Sequence, residues 1–337
     1  MTRFRPGWGR ALAGLAIAAL FVVLLARRVD RQQMSMVLAG ASWPALVLAV
    51  LALTVDMGAR ITRWWWMLRP VQPELTWGSC ARPFLASLAL NNTVPLRAGD
   101  VVRIFGFQRT LRAPAAHIAG TLLLERMLDL LVLLAVLFVS VLGTSVFPRA
   151  FLLLAYGAGA LCLVVLAAIT LVPDRLTNLA RAGAGRLLPG RWVSKLDPIL
   201  TQLTASLSLL RSPRRAIALV GISVVAWIME GAVFAFALWS LHIPVAWPAA
   251  WLALAAATLA TLLPSSPGYV GTFDYFASLG LTAYGAGRSA AAAFAVLAHL
   301  ILWLPVTVAG FAILLWSRRP VVPGRVAGTA KTSGATS

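Results

Sequence analysis

Long apolar runs separated by short basic stretches form the hydropathy pattern of this chain. Irregular backbone is tolerated in hydrocarbon only where protein or a wet cavity surrounds it, so a run interrupted by proline, glycine and polar residues predicts a broken or re-entrant helix. An uninterrupted run of about 20 residues predicts a full span. Six runs are uninterrupted, at 11–28, 44–62, 115–143, 149–172, 214–240 and 289–316, and two are interrupted, at 79–96 and 248–286.

The pattern therefore predicts an all-α polytopic membrane protein with about six full spans and two broken helices. Composition strengthens this prediction, because 60% of the 337 residues are hydrophobic and only 12% are charged. A soluble domain carries about 25% charged residues. Most of the outer surface of this chain must consequently face lipid.

The net charge of +19 comes from basic residues that lie mostly between the apolar runs or near their ends, Arg60 and Arg63 among them. This distribution follows the positive-inside rule and indicates cytoplasmic loops rather than a nucleic-acid-binding face. The basic loop 174–212 has apolar residues at helical spacing, which predicts a cytoplasmic amphipathic helix on the membrane surface. We expect both termini in the cytoplasm of a bacterial inner-membrane protein, with one transmembrane domain over 1–318 and a disordered tail over 319–337.

Motifs for metal or nucleotide chemistry are missing from the sequence. Cys80 and Cys162 are isolated, the three histidines are far apart, and no zinc-binding spacing or Walker motif occurs. We therefore expect no metal, no cofactor and no ATP hydrolysis.

The two interrupted runs share a pattern. Pro95 precedes Gly99 by four residues, as Pro267 precedes Gly271, and three predicted full spans separate the two runs. They would thus enter the membrane from opposite sides, a layout typical of inverted-repeat transporters whose substrate site lies near the midplane. An inverted repeat is accordingly a hypothesis.

Glu125, Arg126 and Asp129 lie inside the predicted span 115–143. Exposed to lipid at the bilayer centre, three charges would cost roughly 8 kcal/mol, so they must face protein or water. Glu125 and Asp129 share one helix face, and Arg126 points elsewhere and can bridge to another helix. A structural ion-pair cluster and a substrate site are both consistent with this pattern.

The stretch from Pro95 to Arg103 offers a second set of charges. Pro95 breaks the helix, and Gly99 frees the backbone. Asp100 and Arg103 can pair across one helical turn, whereas Arg97 and Arg103 can bind a phosphate. The alternative role for these arginines is positive-inside anchoring.

The second break, Gly268-Tyr269-Val270-Gly271-Thr272, is typical of a turn that opens a helix, with Thr272 as its N-cap. The N-terminus of such a helix favours the binding of an anionic headgroup. The alternative is that this turn only breaks the helix and binds no ligand. Asp56 and Arg60 are spaced to pair with each other. Glu230 has no basic neighbour in sequence, so it needs a remote partner or acts as a proton carrier.

Three motifs in order resemble the lysylphosphatidylglycerol synthase transmembrane-region family, also called the flippase-like domain family. They are Asn91…Pro95-Leu96-Arg97-Ala98-Gly99-Asp100…Arg103, then Glu125-Arg126…Asp129, then Pro264-Ser265-Ser266-Pro267-Gly268-Tyr269-Val270-Gly271. The resemblance covers roughly residues 10–316. It implies a membrane module that moves a phospholipid or related lipid between leaflets, here without the aminoacyl-transferase domain of the full-length synthases.

Our leading hypothesis is a lipid transporter that moves a phospholipid or lipid-linked headgroup across the inner membrane, with membrane lipids as its partners and no catalytic residues. The alternatives are a membrane transferase for lipid-linked substrates and a non-catalytic partner of a lipid or glycan biosynthetic enzyme. The predicted headgroup contacts are Asn91, Arg97, Asp100, Arg103, Arg126, Gly268, Gly271 and Thr272. The residues predicted to balance charge or carry protons are Glu125, Asp129 and Glu230, and the predicted helix breaks are Pro95, Gly99, Pro264 and Pro267.

Overall fold

The computed structural model describes residues 8–27, 29–94, 97–141, 208–262 and 266–316, together with isolated positions between 149 and 183. Its regular structure is helical throughout these ranges. The helices are α1 Trp8–Ala26, α2 Arg31–Ala39, α3 Trp43–Leu68, α4 Trp77–Thr93, α5 Ala98–Phe105, α6 Gln108–Leu111, α7 Ala115–Val141, α8 Pro213–Ser240, α9 Pro248–Ala260, α10 Thr272–Thr282 and α11 Arg288–Trp316. Short 3₁₀ turns occupy Ser208–Arg211 and Pro267–Tyr269.

The prediction of an all-α membrane protein is confirmed. Within the described ranges, three helices are long and apolar enough to cross a membrane, namely α3, α8 and α11. Helices α1 and α7 coincide with two further predicted spans. The predicted span 149–172 is described only at isolated helical positions, and most of the loop 174–212 and the tail 319–337 lie outside the described residues.

Local sequence accounts for several helix boundaries. Pro44 and Pro213 stand in the first turns of α3 and α8, where a missing backbone N–H costs nothing. The short helix α2 was not predicted from the hydropathy pattern. The Asp30 carboxylate caps it by accepting bonds from the backbone N–H groups of Gln32 and Gln33, at 2.9 and 3.2 Å.

The two interrupted runs, predicted to form broken or re-entrant helices, each contribute to a hairpin of two helices. The first run forms α4, which pairs with α5 beyond the end of that run, and the second run contains both α9 and α10. In the first hairpin, a Cβ at Gly99 of α5 would overlap the Ser87 carbonyl oxygen of α4, so only glycine permits this approach. In the second, a Cβ at Gly280 of α10 would lie 2.6 Å from the Ala253 Cα atom of α9. Both helices of each hairpin therefore pack along one another. Pro95 and Pro264, predicted to break the helices, lie outside the described residues.

The order of a long helix, a hairpin and a second long helix occurs twice along the chain. The first half runs through α3, the α4–α5 hairpin and α7, and the second through α8, the α9–α10 hairpin and α11. Helices α3 and α8 are antiparallel, because the Ser42 N–H at the start of α3 donates to the Ser240 carbonyl at the end of α8, at 2.8 Å. This arrangement agrees with the inverted-repeat hypothesis.

The two halves exchange packing partners. The first hairpin packs through α4 against α11, and the second packs through α9 against α7. Gly310 of α11 sits so close to the Leu85 carbonyl and Ala89 of α4 that any larger residue would collide there. Each hairpin is thus held by the closing helix of the opposite half, which brings the two breaks together.

Candidate functional site

Charged side chains from four helices meet in a buried group between the two halves. We call this group the central cluster, and three of its members are arginines and four are carboxylates. Its members are Asp56, Arg60 and Arg63 of α3, Arg103 of α5, Glu125 and Asp129 of α7, and Glu230 of α8.

Arg60 joins three carboxylates from three helices. Its Nε donates to Asp56 Oδ1 at 2.7 Å, so the predicted pairing within α3 is confirmed. Its Nη2 donates to Glu230 of α8, and its Nη1 lies 3.7 Å from Asp129 Oδ2 of α7. Arg60 is therefore the remote partner that Glu230 requires.

Arg63 is fully buried and binds the Asp129 carboxylate through two hydrogen bonds, at 2.6 and 3.1 Å. It also donates to Ser223 Oγ at 2.8 Å. The positive-inside rule predicted cytoplasmic anchoring for Arg60 and Arg63, and the structure places both in the central cluster. Their spacing from Asp56, at four and seven residues, puts all three on one helix face, and that periodicity was the available signal.

Arg103 is 1% exposed and donates to Glu125 Oε2 at 2.9 Å. Its guanidinium lies over the Trp64 ring, 3.8 Å from the centroid, with the Phe84 ring 4.6 Å away. The expected pairing of Arg103 with Asp100 is wrong, because Glu125 of the neighbouring helix takes that place. Enclosed in this way, Arg103 offers no open face to a headgroup.

Asp100 pairs instead with Arg126, and the distance from Arg126 Nη2 to Asp100 Oδ2 is 3.3 Å. The predicted bridge from Arg126 to another helix is confirmed. Asn91 holds Asp100 from the other side, because its amide donates to Oδ1 at 2.8 Å and accepts the Asp100 backbone N–H at 3.1 Å. The central cluster, the Asp100–Arg126 pair and Arg97 together form what we call the charged region. The Arg126 side chain is 43% exposed, so the pair lies at the open edge of this region.

Arg97 has a left-handed backbone at φ 51° and lies where the two breaks meet. We call this place the junction of the two breaks, and it contains Asn92, Arg97, Thr261, Gly268 and Tyr269. Its Nε donates to the Tyr269 hydroxyl at 2.8 Å, and its Nη2 donates to the Thr261 carbonyl at 3.2 Å. Both partners belong to the second hairpin and both are neutral. No carboxylate among the described residues contacts Arg97.

The second break is fastened by His299 of α11. Its Nε2 lies 2.9 Å from the Gly268 carbonyl oxygen, and its Nδ1 lies 2.8 Å from Asp274 Oδ1. The other oxygen of Asp274 accepts the Gly271 backbone N–H at 2.8 Å. Tyr269 and Asp274 were not among the predicted site residues. Tyr269 lies within the predicted turn and Asp274 follows it by five residues, and neither gave a signal separable from ordinary helix-start residues.

The start of α10 differs from the prediction in two respects. Gly271 precedes the helix and Thr272 is its first residue, so Thr272 is not the N-cap. Thr272 is fully buried, and Gly268 and Gly271 are buried as well. Since Asp274 already takes the Gly271 N–H, this helix start is closed by an internal carboxylate rather than open to a headgroup.

Contacts between the breaks also involve α11. The Trp303 indole donates to the Asn92 carbonyl at 3.3 Å, and the Asn92 amide donates to Thr307 Oγ1 at 2.8 Å. A Cβ at Gly268 would lie 2.8 Å from the Trp303 indole nitrogen and 3.0 Å from the Asn92 carbonyl oxygen. The absence of a side chain at Gly268 thus lets the second break approach the first.

Comparison with known proteins adds two findings. The family model described as the lysylphosphatidylglycerol synthase TM region matches residues 11–310. The glycosyltransferase AglD of Haloferax volcanii is 26% identical over 322 residues, an alignment that covers 86% of this chain and 51% of that protein. The chain thus spans about half the length of this relative.

Proposed function

This chain belongs to the lysylphosphatidylglycerol synthase transmembrane-region family, and from that premise we propose that it moves an anionic lipid between the leaflets of the inner membrane. The headgroup would bind at the junction of the two breaks, against Arg97 and Arg126. The acyl chains would remain in the surrounding lipid.

The single observation that carries this proposal is the unpaired charge of Arg97. A cation within the membrane costs about 2.5 to 3.5 kcal/mol unless a partner compensates it. Eight of the ten acidic residues are described, and none of these eight contacts Arg97. A phosphate would supply the missing negative charge and can accept two parallel hydrogen bonds from one guanidinium.

Arg126 is the second cation suited to this role. It is the most exposed arginine of the charged region, and its 3.3 Å contact with Asp100 is longer than the other charge-assisted bonds there. A headgroup phosphate can therefore share or replace that contact. Asn91 and Asp100 would then position Arg126, whereas buried Arg103 would serve the central cluster.

The location of Arg97 supports transport between leaflets. It joins the first hairpin to the second, and these hairpins belong to two halves that begin with antiparallel helices. In transporters of this architecture, rocking of one half against the other exposes a central site to each side in turn. Separation of Arg97 from Tyr269 is the movement that such rocking would require here.

Transfer of fluorescent phosphatidylglycerol across proteoliposome membranes, followed by dithionite quenching, tests the proposal. We expect Arg97→Ala to slow transfer about tenfold to a hundredfold, because a hydrogen bond to a charged group contributes about 1.5 to 3 kcal/mol. Exposed Arg109 on α6 provides the matched control, Arg109→Ala, which should transfer like wild type. A wild-type protein that neither binds nor transfers phosphatidylglycerol would overturn the proposal.

A second candidate function is transfer of a sugar onto or from a lipid carrier. The name of the Haloferax volcanii relative favours it, although this chain covers only 51% of that protein. The carboxylates of the central cluster are buried, with side-chain exposures between 0 and 14%, which leaves them poorly placed to reach a sugar substrate as general bases. Incubation of purified protein with a polyprenyl-phosphate sugar and acceptor lipid distinguishes the candidates, since only a transferase would release glycosylated product.

A further inference from the structure

The central cluster carries an excess of negative charge. Three arginines face four carboxylates, so the cluster has a formal charge of −1 when every group is ionised. The Asp100–Arg126 pair is neutral, and Arg97 carries +1. These ten groups therefore sum to zero charge when the headgroup site is empty, although Arg97 itself contacts none of the carboxylates, and the Asp274–His299 pair at the second break is counted apart from them.

An anionic headgroup at Arg97 would disturb this balance by adding −1. An uncompensated charge within the membrane costs about 2.5 to 3.5 kcal/mol, so a compensating cation has to enter with the lipid. The smallest available cation is a proton, and the central cluster contains the carboxylates that can bind it.

Among the described residues, Asp56 is the carboxylate of the central cluster that has a buried oxygen without a hydrogen-bond partner. Its side chain is fully buried, Oδ1 accepts from Arg60, and Oδ2 has no hydrogen-bond partner in the described part of the chain. Both oxygens of Asp129, by contrast, accept bonds from Arg63, and Oδ1 also accepts from the Trp227 indole at 3.2 Å. A buried carboxyl without a partner for one oxygen is far less costly when neutral.

The groups that face Asp56 come from three helices. Arg60 approaches from α3 itself, Glu230 from α8 and Asp129 from α7. The two carboxylates disfavour a third negative charge beside them, and Arg60 divides its donors among all three. Helices α4 and α11 add no charged group to this set within the described residues.

We propose that Asp56 binds one proton when an anionic headgroup binds at Arg97, so that lipid and proton are loaded together. This inference rests on the proposed function. The step is simple protonation of the Asp56 carboxylate by a proton from water. Glu230 would relay this proton, because its side chain is 14% exposed. Loading is then electroneutral, and transfer of the loaded site moves no net charge across the membrane.

Protonation of Asp56 also links the site to the contact between the halves. Arg60 of α3 bonds to both Asp56 and Glu230, and Glu230 belongs to α8 of the other half. A neutral Asp56 weakens the first bond and leaves Arg60 to Glu230. Loading would consequently change how α3 is held against α8, the interface along which the two halves must move.

Proton uptake by purified wild-type protein tests this inference. The protein, in weakly buffered detergent with a pH-indicator dye, is titrated with phosphatidylglycerol, while native mass spectrometry counts the bound lipid. We expect about one proton taken up for each phosphatidylglycerol bound, and none with phosphatidylcholine. One linked proton also makes lipid affinity fall about tenfold per pH unit on the alkaline side.

Two variants locate the proton. Asp56→Asn imitates the protonated residue, so it should bind phosphatidylglycerol without proton uptake and with an affinity independent of pH. Glu74→Gln removes an 85%-exposed carboxylate outside the cluster and should behave like wild type. If Asp56→Asn does not fold, binding heats of wild type in buffers of different ionisation enthalpy still give the number of protons.

The outcomes separate this inference from the proposed function. Failure of wild type to bind phosphatidylglycerol overturns both. Binding without proton uptake overturns the inference alone and leaves the lipid site intact. Proton uptake that persists in Asp56→Asn overturns the assignment to Asp56.

Discussion

The central cluster and the junction of the two breaks both place arginines among the apolar helices, but the arginines of the cluster contact carboxylates and Arg97 at the junction contacts only neutral groups. Arg63 is fully buried and bonds to Asp129 through two hydrogen bonds at 2.6 and 3.1 Å. Arg97 is partly exposed and contacts only a hydroxyl and a carbonyl among the described residues. An arginine bonded to a carboxylate can hold helices together, whereas an arginine that contacts only neutral groups is suited to bind an anionic ligand.

This difference bears on two interpretations of one motif that the sequence could not distinguish. The Glu125-Arg126…Asp129 motif was consistent with a structural ion-pair cluster and with a substrate site. In the structure Glu125 and Asp129 point into the central cluster, which favours the ion-pair role for them, and Arg126 points to Asp100 at the exposed edge, where we propose that the headgroup binds. One helix therefore serves both regions with different faces.

The largest expected effect lies in the central cluster. Arg63→Ala leaves Asp129 buried without its partner, and such a loss typically costs about 3 to 5 kcal/mol of folding stability. Thermal unfolding in detergent, followed by tryptophan fluorescence, measures it. Arg69→Ala, at the exposed end of the same helix, loses only a cation–π contact with Trp65 and should cost about 1 kcal/mol or less.

A double variant checks the cause of that loss. Arg63→Met combined with Asp129→Leu removes both charges and fills the space with apolar groups, so it should recover much of the stability. If the double variant is as unstable as Arg63→Ala, the pair contributes packing that the apolar residues cannot replace. The contrast between compensated and uncompensated charge would then not explain the cluster.

The second effect concerns Arg97 and should have the opposite pattern. Arg97→Ala removes an unpaired charge together with two hydrogen bonds to neutral groups, so any loss in the free energy of unfolding should stay below about 1.5 kcal/mol. Phosphatidylglycerol binding should weaken about tenfold to a hundredfold, as measured by native mass spectrometry. Equal losses of stability and binding would show that Arg97 resembles Arg63, and the distinction between the two regions would fail.

Hydropathy predicted the fold well because lipid imposes strict limits on each segment. The helix breaks could also be predicted from the sequence, since proline and glycine interrupt apolar runs at matching positions in the two halves. The ion-pair partner of each charged side chain could not be predicted in the same way. Arg103 prefers Glu125 to Asp100 because α7 lies beside α5 in the fold, and sequence spacing contains no information about that neighbour.

Arg60 and Arg63 show a further limit of sequence reasoning. The positive-inside rule explains basic residues near helix ends, and it masked the alignment of Arg63 with Asp56 and Arg60 on one face of α3. Tyr269 illustrates the same limit, since its contact with Arg97 joins residues 172 positions apart. Helical periodicity could have detected the first case, whereas only the packing of the two hairpins reveals the second.

A third prediction concerns the support of the second break. His299→Ala removes the contacts to Gly268 and Asp274, leaving a buried carboxylate oxygen unpaired at a cost of about 1 to 3 kcal/mol. The turn Pro267–Tyr269 should loosen, which hydrogen exchange of its backbone amides would detect. Exchange in α8 should remain as in wild type, and general loosening there would mean that His299 stabilises the whole fold rather than the break.

The smallest effect should come from the hydroxyl that holds Arg97. Tyr269→Phe keeps the aromatic ring, whose centroid lies 5.8 Å from the Arg97 guanidinium carbon, and removes the acceptor of the 2.8 Å bond. A net hydrogen bond of about 1 kcal/mol corresponds to a change of about fivefold in affinity. Since the hydroxyl occupies Arg97 when the site is empty, its loss should strengthen phosphatidylglycerol binding by about that factor, with Tyr275→Phe as the control. Weaker binding by Tyr269→Phe would instead mean that the hydroxyl contacts the lipid itself, and the junction would then be a preformed site rather than one that a headgroup opens.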